Sequence, residues 1–250
     1  MNELKQRVKQ GYSRAWVVSK YSTVGLWPSE REICHRFWNR GDRVLDLGCG
    51  AGRTTVPLAQ EGFKPVAIDL AQPMVAQAAR FADRMAIPCP LGVGDATDLP
   101  FLENSFSGIL FSYNGIELVP KESGKISALT EAWRVLRPGG HLIFTTHAFE
   151  AFNKYAISRL KRMGLDLLNR ALGRAPADAE FGEIIPDPER TVEVYYMQIN
   201  SPRKYRKWLR RLGFELVYYN SRSRIDADKR SSRLADFDGD FKFYVARKPD

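Results

Sequence analysis

The length, composition and cysteine content of the chain indicate a globular protein and exclude several other classes. The chain has 250 residues, of which 44% are apolar and 27% charged, and these values exclude wholesale disorder. No run of about 18 uncharged apolar residues occurs, so no membrane span is predicted. Three scattered cysteines (Cys34, Cys49 and Cys89) exclude a disulfide framework and a cysteine-based metal site, and no metal is expected.

The formal net charge of +9 is unevenly distributed along the chain. Residues 1–40 carry eight Lys or Arg against three Asp or Glu, and residues 200–233 carry eleven against three. Such basic surface can attract RNA, anionic lipid or phosphorylated small molecules, or can simply keep the protein in solution. The N-terminus is charged and does not resemble a signal peptide, so we expect a cytoplasmic location.

The first 147 residues predict a helical arm followed by alternating strands and helices. Residues 1–40 form the predicted arm, which is rich in aromatic side chains. From residue 41, short apolar runs alternate with amphipathic ones, as in β-α-β crossovers. The predicted strands are 44–47, 65–69, 91–93, 106–112 and 142–146. The predicted helices are 53–60, one that Pro73 opens, and 121–136, which Arg137-Pro138-Gly139-Gly140 ends.

The alternation is interrupted by residues 148–199, which contain a basic helix-like segment and a loop rich in Pro, Asp and Glu. We interpret them as a substrate lid inserted after strand 5. A helix and two further strands, at 214–219 and 241–246, complete a set of seven strands, the last of them antiparallel. Residues 41–250 are therefore predicted to form one α/β domain with a mostly parallel seven-stranded sheet and helices on both faces.

A glycine-rich turn directly follows the first strand: Asp46-Leu47-Gly48-Cys49-Gly50-Ala51-Gly52. Parallel sheets bind ligands at the carboxyl ends of their strands, so a ligand is expected at this edge. Glycines let the backbone turn tightly and come close to that ligand. Asp69 ends the second strand, 21 positions after Gly48, where a carboxylate can accept hydrogen bonds from both hydroxyls of a ribose.

The residues around the turn limit which kind of nucleotide the predicted site can bind. Arg53 stands where a dinucleotide site needs Gly or Ala, and the absence of a following Lys-Ser/Thr pair excludes a P-loop. Asp46 places a carboxylate beside the loop, which repels phosphate but suits an ammonium or sulfonium group. Asp95 follows the third strand, where it could accept a hydrogen bond from an adenine amino group. Three acidic residues at three successive strand ends thus favour a cationic nucleoside.

Five segments of the chain resemble, in register, the successive motifs of class I S-adenosylmethionine-dependent methyltransferases. The resemblance covers about residues 41–147 and implies a Rossmann-like fold with S-adenosyl-L-methionine as cofactor. The segments are VLDLGCGAGR (44–53), AIDLAQPMV (67–75), GDATDLPF (94–101), FSGILFSYNGIELVP (106–120) and RVLRPGGHLIFTTH (134–147).

The resemblance also implies a set of cofactor-binding residues at four strand ends. The glycines of the turn would line the methionine moiety, Asp69 would bind the ribose, and Asp95 with Ala96 would read the adenine. Aliphatic side chains after the second strand would pack on the nucleoside, and residues after the fourth would stand near the methyl group. The set is Asp46, Gly48, Gly50, Gly52, Asp69, Leu70, Met74, Asp95, Ala96, Ser112 and Tyr113.

The segment after the fourth strand indicates which classes of molecule could accept the methyl group. Methyltransferases that act on exocyclic amino groups of adenine typically carry an (Asn/Asp)-Pro-Pro-aromatic motif there, whereas this chain has Ser112-Tyr113-Asn114-Gly115. The departure disfavours that class of nucleic-acid modification and leaves other RNA targets open.

Catalysis by such an enzyme depends first on positioning, because transfer from a sulfonium is an in-line displacement with an activated leaving group. A base is required only when the acceptor must lose a proton. His147, which follows the fifth strand at the ligand edge, is the candidate general base, and its alternative is a packed or solvent-facing residue. Tyr113 is a second catalytic candidate, and Glu117 could help to position an acceptor.

The sequence thus predicts a methyltransferase acting on an oxygen or nitrogen atom of a small or medium organic molecule, with a carbon atom as a further alternative. Specificity is assigned to residues 1–40 and 148–199, where aromatic side chains offer an apolar pocket wall. The alternative is an RNA methyltransferase that uses the basic surface of residues 200–233, although a solvated outer helix is the more ordinary explanation of those charges. A non-catalytic partner subunit is disfavoured because the acidic and glycine positions are complete. The aromatic residues of the second segment are Phe149, Phe152, Tyr155, Phe181, Tyr195 and Tyr196.

Overall fold

The computed structural model describes residues 3–174, 178–185 and 196–250. Three helices precede the sheet: α1 (Glu3–Tyr12), α2 (Ala15–Tyr21) and α3 (Pro28–Phe37). Proline suits the first turn of α3 because that position has no helical partner for an N–H group. The carboxylate of Glu30 accepts a hydrogen bond from the Trp27 backbone N–H at 2.8 Å and so closes the start of this helix.

The first half of the sheet follows the predicted alternation closely. Each strand ends within a residue of its predicted position, at an aspartate or a glycine-rich turn. The elements are β1 (Arg43–Leu47), α4 (Thr55–Gln60), β2 (Lys64–Asp69), α5 (Gln72–Arg84) and β3 (Leu91–Val93).

The second half contains the same alternation with additions after β5. A short helix follows β4, and a long helix and a two-stranded hairpin follow β5. The elements up to β5 are β4 (Phe106–Phe111), α6 (Gly115–Leu118), α7 (Lys121–Val135) and β5 (Leu136–Thr146). Those after β5 are α8 (Ala156–Ala171), β6 (Glu183–Ile184), β7 (Met197–Gln198), α9 (Pro202–Arg211), β8 (Glu215–Ser221), α10 (Arg222–Asp226), a 3-10 turn (Arg233–Phe237) and β9 (Lys242–Arg247).

Seven strands form one sheet in the order β3-β2-β1-β4-β5-β9-β8. β9 runs antiparallel to both of its neighbours, and the pairs among β1 to β5 are all parallel. The mostly parallel seven-stranded sheet with an antiparallel last strand is therefore confirmed. Strand order reverses between β1 and β4, which places the ligand crevice of such folds at the carboxyl ends of these two strands.

Apolar side chains from the sheet pack on both of its faces. Val44 and Leu110 belong to a buried cluster with α3 and α4, whereas their chain neighbours Leu45 and Ile109 belong to a cluster with α7 and α9. Adjacent residues of a strand point to opposite faces, so a sheet covered on both sides needs such continuous apolar runs. The predicted helices on both faces are confirmed.

One close approach fixes α3 against the sheet. Gly108 lies in β4 beneath the Trp38 indole, where an added Cβ would lie 2.3 Å from the ring atoms Cε2 and Nε1. Only a residue without a side chain fits there, because protein interiors leave no room for such an overlap.

The main departure from the predicted elements is at β5. This strand begins at Leu136 and so includes the segment 137–140, predicted to be a helix-ending turn. Gly139, with φ +75°, and a shift of register against β4 mark a bulge in this segment. The Gly139 N–H donates to Lys248 O at 2.8 Å, and the Lys248 N–H donates to Gly140 O at 2.9 Å. Pairing with the residues after β9 therefore extends a strand that the local sequence would have started later. No helix among the described residues is long and apolar enough to cross a membrane.

Candidate active site

A cavity of about 960 Å³, partly open to solvent, lies at the carboxyl edge of the sheet. Its floor comes from the turns after β1, β2, β3 and β4, and α1 and the end of α2 cover it. Nine predicted cofactor-binding residues line it: Gly48, Gly50, Asp69, Leu70, Met74, Asp95, Ala96, Ser112 and Tyr113.

Asp69 is fixed at the centre of the floor by two backbone N–H groups. Its Oδ2 accepts from the Gly50 N–H at 2.9 Å, and its Oδ1 accepts from the Ala71 N–H at 2.8 Å. Burial raises the pKa of this carboxyl, and the amide hydrogen bonds act in the opposite direction. Each carboxylate oxygen still has an acceptor site, which suits a pair of adjacent hydroxyls.

Asp95 lies at the other end of the cavity and is bound to α1. Lys5 Nζ lies 2.5 Å from its Oδ2, and the Thr97 N–H and hydroxyl donate to its Oδ1 at 2.9 and 2.8 Å. Burial alone would raise the pKa of Asp95, but these bonds hold it below its usual value. Sequence reasoning missed Lys5, since the pair joins residues 90 positions apart.

Two predicted ligand residues, Asp46 and Gly52, are not among the described residues that line the cavity. Asp46 is buried, and its Oδ2 accepts from the hydroxyls of Thr54 and Thr55, both at 2.6 Å. Burial raises the pKa of Asp46 to about 6, while the two hydroxyls and Arg53 oppose that rise. The carboxylate of Asp46 therefore holds the start of α4, and its predicted place beside the ligand stays a prediction.

Gly52 serves helix packing. It has φ +86°, and an added Cβ would lie 3.1 Å from Cα and Cβ of Ala78 on α5. A side chain would therefore be strained and would also push α5 away from the turn. Gly52 therefore allows a close contact between the glycine turn and α5, and its predicted contact with the ligand stays a prediction.

A buried ion pair joins α3 to the glycine turn. Arg53 Nη1 and Nη2 donate to the two carboxylate oxygens of Glu30 at 2.9 and 2.5 Å, and both side chains are buried. Ser112 Oγ donates to Glu30 Oε1 and accepts from Arg53 Nη2 at 3.1 Å. Arg53 was noticed in the sequence only as a departure from a dinucleotide motif, and no local pattern indicates its partner.

The turn after β4 places Tyr113 on the cavity wall. Tyr113 and Asn114 have φ of +51° and +56°, a conformation that is uncommon for residues other than glycine. The Asn114 N–H donates to Thr145 Oγ1 at 3.1 Å, which helps to hold this turn. The Tyr113 ring contacts those of Tyr21 and Trp27, with centroids 5.6 and 5.0 Å apart, so aromatic residues of the N-terminal arm reach the cavity.

His147 and Glu117 form a pair behind this aromatic group. His147 Nδ1 lies 2.7 Å from Glu117 Oε2, and the His147 backbone N–H donates to Oε1 at 2.9 Å. Burial alone would lower the pKa of His147, but the Glu117 carboxylate outweighs it and the pKa is raised. His147 is not among the described residues that line the cavity; its ring packs on Phe241, which also contacts Tyr113.

The hairpin β6–β7 is bound to the start of α7, next to the cavity wall. Lys125 is buried, and its Nζ donates to Val119 O at 2.6 Å and to Gln198 Oε1 at 2.9 Å. Burial lowers the pKa of Lys125 to about 7, although several carboxylates nearby oppose this. Val119 lines the cavity, so Lys125 links the cavity wall to the hairpin. No local sequence pattern indicates the role of this lysine.

Comparison with known proteins shows what the chain is similar to. Residues 44–140 match the sequence model of a methyltransferase domain. A demethylmenaquinone methyltransferase of Beutenbergia cavernae is 38% identical over 133 residues, which are 53% of this chain and 47% of that protein. One of Mycobacterium sp. (strain KMS) is 37% identical over 145 residues, 51% of this chain and 59% of that protein.

The chain spans about half the length of the curated methyltransferases it matches. Solved structures agree on the fold: an S-adenosylmethionine-dependent methyltransferase of Methanosarcina mazei superposes with a TM-score of 0.68 at 21% identity. That likeness covers 90% of this chain and 99% of the other.

The cavity fits S-adenosyl-L-methionine, the cofactor that the sequence resemblance implies. The carboxylate of Asp69 offers acceptors for ribose hydroxyls, and the aliphatic side chains of Leu70 and Met74 line the same wall. The lining also includes aromatic rings, whose faces suit a cationic sulfonium group, and the cations Lys5 and Arg53 there are paired with Asp95 and Glu30. When bound, this cofactor supplies an activated methyl group.

Proposed function

We propose that the chain is an enzyme that transfers the methyl group of S-adenosyl-L-methionine to an oxygen or nitrogen atom of a small or medium organic molecule, in the cytoplasm. The observation that carries the proposal is the fixed carboxylate of Asp69 between two backbone amides on the floor of a covered cavity. A carboxylate restrained in this way is preorganised to accept ribose hydroxyls, since it loses little freedom on binding.

Enclosure and alignment are the main contributions of the chain to catalysis in this proposal. The rings of Tyr12, Tyr21 and Tyr113 line the cavity and limit the access of water. Holding an acceptor in line with an activated methyl group is worth effective molarities of about 10⁵–10⁸ M. Tyr113 is the residue proposed to touch the reacting groups.

His147 is proposed to take the acceptor proton. Its Nδ1 faces the Glu117 carboxylate, which fixes that nitrogen as the donor and leaves Nε2 as the acceptor of a proton. Because Phe241 packs against both the imidazole and Tyr113, the acceptor would enter between the cavity and this ring. The proposed role therefore requires an acceptor long enough to reach Nε2 from the cavity.

The names of the curated relatives support a small organic acceptor. Those proteins are named as acting on demethylmenaquinone, so a quinol or a similar phenolic ring, whose hydroxyl oxygen can take the methyl group and lose its proton, is the acceptor class to test first here. The aromatic side chains around the cavity offer flat apolar surfaces that suit such a ring.

Residues 148–199 are proposed to form the substrate lid. The hairpin β6–β7 is fixed at its base by Lys125, and Phe149 packs on Phe181 with centroids 5.5 Å apart. Phe152 and Tyr155, predicted to be part of the apolar wall, are exposed, and Tyr196 is buried with its hydroxyl donating to Glu183 at 3.0 Å. Tyr195 lies outside the described residues.

The alternative, RNA methylation through the basic surface of residues 200–233, has weaker support. Of the eleven Lys and Arg in this range, Lys204, Arg206, Arg222 and Arg224 are in ion pairs with carboxylates. The charge that a polyanion would meet is therefore smaller than the composition suggests.

The proposal is tested by calorimetry and a transfer assay. Wild type and Asp69→Asn are titrated with S-adenosyl-L-methionine, and methyl-labelled cofactor is then supplied with a pool of quinols, phenols and amines or with total RNA. We expect binding by the wild type, weaker binding by the variant and label in an O- or N-methylated small molecule. Absence of cofactor binding contradicts the whole proposal. Label only in RNA selects the alternative, and a C-methylated product contradicts the proposed acceptor atoms.

A further inference from the structure

The helix α8 is oriented opposite to an ordinary surface helix. Its half-buried residues are Ala156, Arg159, Met163 and Asp166, spaced three and four apart, so this line faces the protein. Two of these four residues are charged. No residue of α8, all sixteen of which the structure describes, is buried. A helix packed on a core in water shows the reverse arrangement, with its apolar stripe inward.

Polar contacts hold this inner side. Arg159 donates to Ala151 O and, at 2.9 Å, to Asn153 Oδ1, and Asn153 Nδ2 donates to Gly239 O at 2.9 Å. Three turns further on, Arg170 donates to Ala179 O at 3.0 Å. Positions 159 and 170 are eleven residues apart and therefore lie on the same side of the helix. The orientation of α8 is thus fixed at both ends by arginines.

The outer side of α8 carries an apolar strip that Gly164 interrupts and that Lys161 borders. Ile157 is 70% exposed, Leu160 58% and Leu168 53%, and the steps of three and eight positions between them keep them on one side of the helix. Single exposed leucines are ordinary, whereas a connected apolar patch marks a surface that contacts something else. Further exposed apolar residues on the same segment are Phe152, Tyr155, Leu165, Leu167 and Leu172.

The charge around the strip selects the partner. Residues 151–174 contain six Lys or Arg and one Asp, so the apolar strip lies in a basic segment. Two copies of the chain meeting through this strip would bring their basic residues together, which is unfavourable. Anionic lipid headgroups complement the charge, and acyl chains accept the leucines. The combination of an apolar face with basic flanks is that of a helix lying in the plane of a membrane surface.

We propose that α8 docks the protein on an anionic lipid bilayer, with Ile157, Leu160 and Leu168 inserted among the acyl chains. The sixteen residues of α8 are too few and too charged to span a bilayer, so the helix lies on the membrane surface. This inference is independent of the proposed function, because it requires neither cofactor nor acceptor.

Vesicle flotation tests the docking surface. The full chain is mixed with vesicles of phosphatidylcholine alone or of phosphatidylcholine with phosphatidylglycerol. We expect flotation with the anionic vesicles, a decrease with added salt, and little binding to the zwitterionic ones. The variant Leu168→Glu should partition about tenfold less or weaker still, since it removes one buried leucine and adds a negative charge. Leu102→Glu, at an exposed leucine elsewhere, is the matched control and should bind as the wild type does.

Three results would overturn the proposal. One is an absence of wild-type binding to anionic vesicles, a measurement that needs no variant. Another is equal partitioning of Leu168→Glu and the wild type, with circular dichroism showing that both are folded. The third is a dimer in light scattering that Leu168→Glu dissociates, which would assign the strip to a second copy. Calorimetry with S-adenosyl-L-methionine on the same samples keeps this result separate from the proposed function.

Discussion

The cavity floor and the segment around α8 treat polar and apolar groups in opposite ways. At the floor, the buried carboxylates have partners within the protein: Asp69 two backbone amides, and Glu30 the guanidinium of Arg53. Around α8, Arg159 and Arg170 donate to the protein, whereas leucines are exposed. The carboxylates of the floor thus need no partner from outside the chain, whereas the exposed leucines of α8 are the side chains that we propose to contact lipid.

The largest expected effect is on the buried ion pair of the floor. Glu30→Ala leaves the guanidinium of Arg53 buried without its partner, and we expect a loss of about 3–5 kcal/mol in the free energy of unfolding, measured with urea. Arg31→Ala breaks an exposed pair with Glu61 and is the control, with an expected loss below about 1 kcal/mol. Equal losses in the two variants would show that the buried pair of Glu30 and Arg53 contributes no more to stability than an exposed ion pair.

Next in size is the effect on cofactor affinity. Asp69→Asn keeps the shape but removes the charge that strengthens hydrogen bonds to hydroxyls, and we expect a loss of about 1.5–3 kcal/mol, or about 10- to 150-fold in Kd by calorimetry. Asp46→Asn, at a carboxylate that holds the start of α4, should change Kd by less than about threefold. A larger effect of Asp46→Asn on Kd would indicate that Asp46 contacts the ligand after all.

The effect expected at Lys125, where the floor meets the hairpin, is smaller when counted per pH unit. Its pKa is lowered from 10.5 to about 7, so between these values the unfolded chain binds the additional proton. Stability should therefore rise as pH increases from about 7 toward 10, by at most about 1.4 kcal/mol per pH unit. Lys125→Met should lack this part of the slope. Parallel slopes of the wild type and the variant in urea unfolding at several pH values would contradict the assignment.

The smallest expected effect is a shift in the pH profile of methyl transfer. His147 acts as a base only when deprotonated, and Glu117 raises its pKa, so activity should rise with pH through a value above 6.5. Glu117→Gln retains an acceptor for the backbone N–H but removes the charge, and the rising limb should move to lower pH. An unchanged limb would make His147 a structural residue, as the sequence also allowed.

The boundaries of helices and strands were predicted correctly where nearby residues mark them. They were predicted wrongly where a strand pairs with residues that are distant in the sequence. β2 ends at Asp69 as predicted, because an aspartate and a helix-opening proline mark that boundary within a few residues. β5 starts earlier than predicted because Gly139 and Gly140 pair with Lys248, which lies more than a hundred positions away. Local patterns do not contain such pairings.

The same limit applies to the site. The glycine turn predicts Asp46 and Gly52 next to a ligand, but a turn pattern does not tell that Asp46 holds the start of α4 or that Gly52 packs on α5. Ion pairs such as Lys5 with Asp95 depend on how α1 packs on the sheet and could not be read from spacing. The reversed orientation of α8 could not be read either, because amphipathic spacing is the same whichever side faces the protein.

The contact between Trp38 and Gly108 restricts how these two positions can change during evolution. Any side chain at position 108 overlaps the indole, so such a replacement is tolerated only after Trp38 has become smaller. Shrinking Trp38 first leaves a hole that costs about 3–5 kcal/mol for truncation to alanine. Both orders of substitution pass through a destabilised intermediate, so descendants of this sequence should retain the two residues together or lose them together.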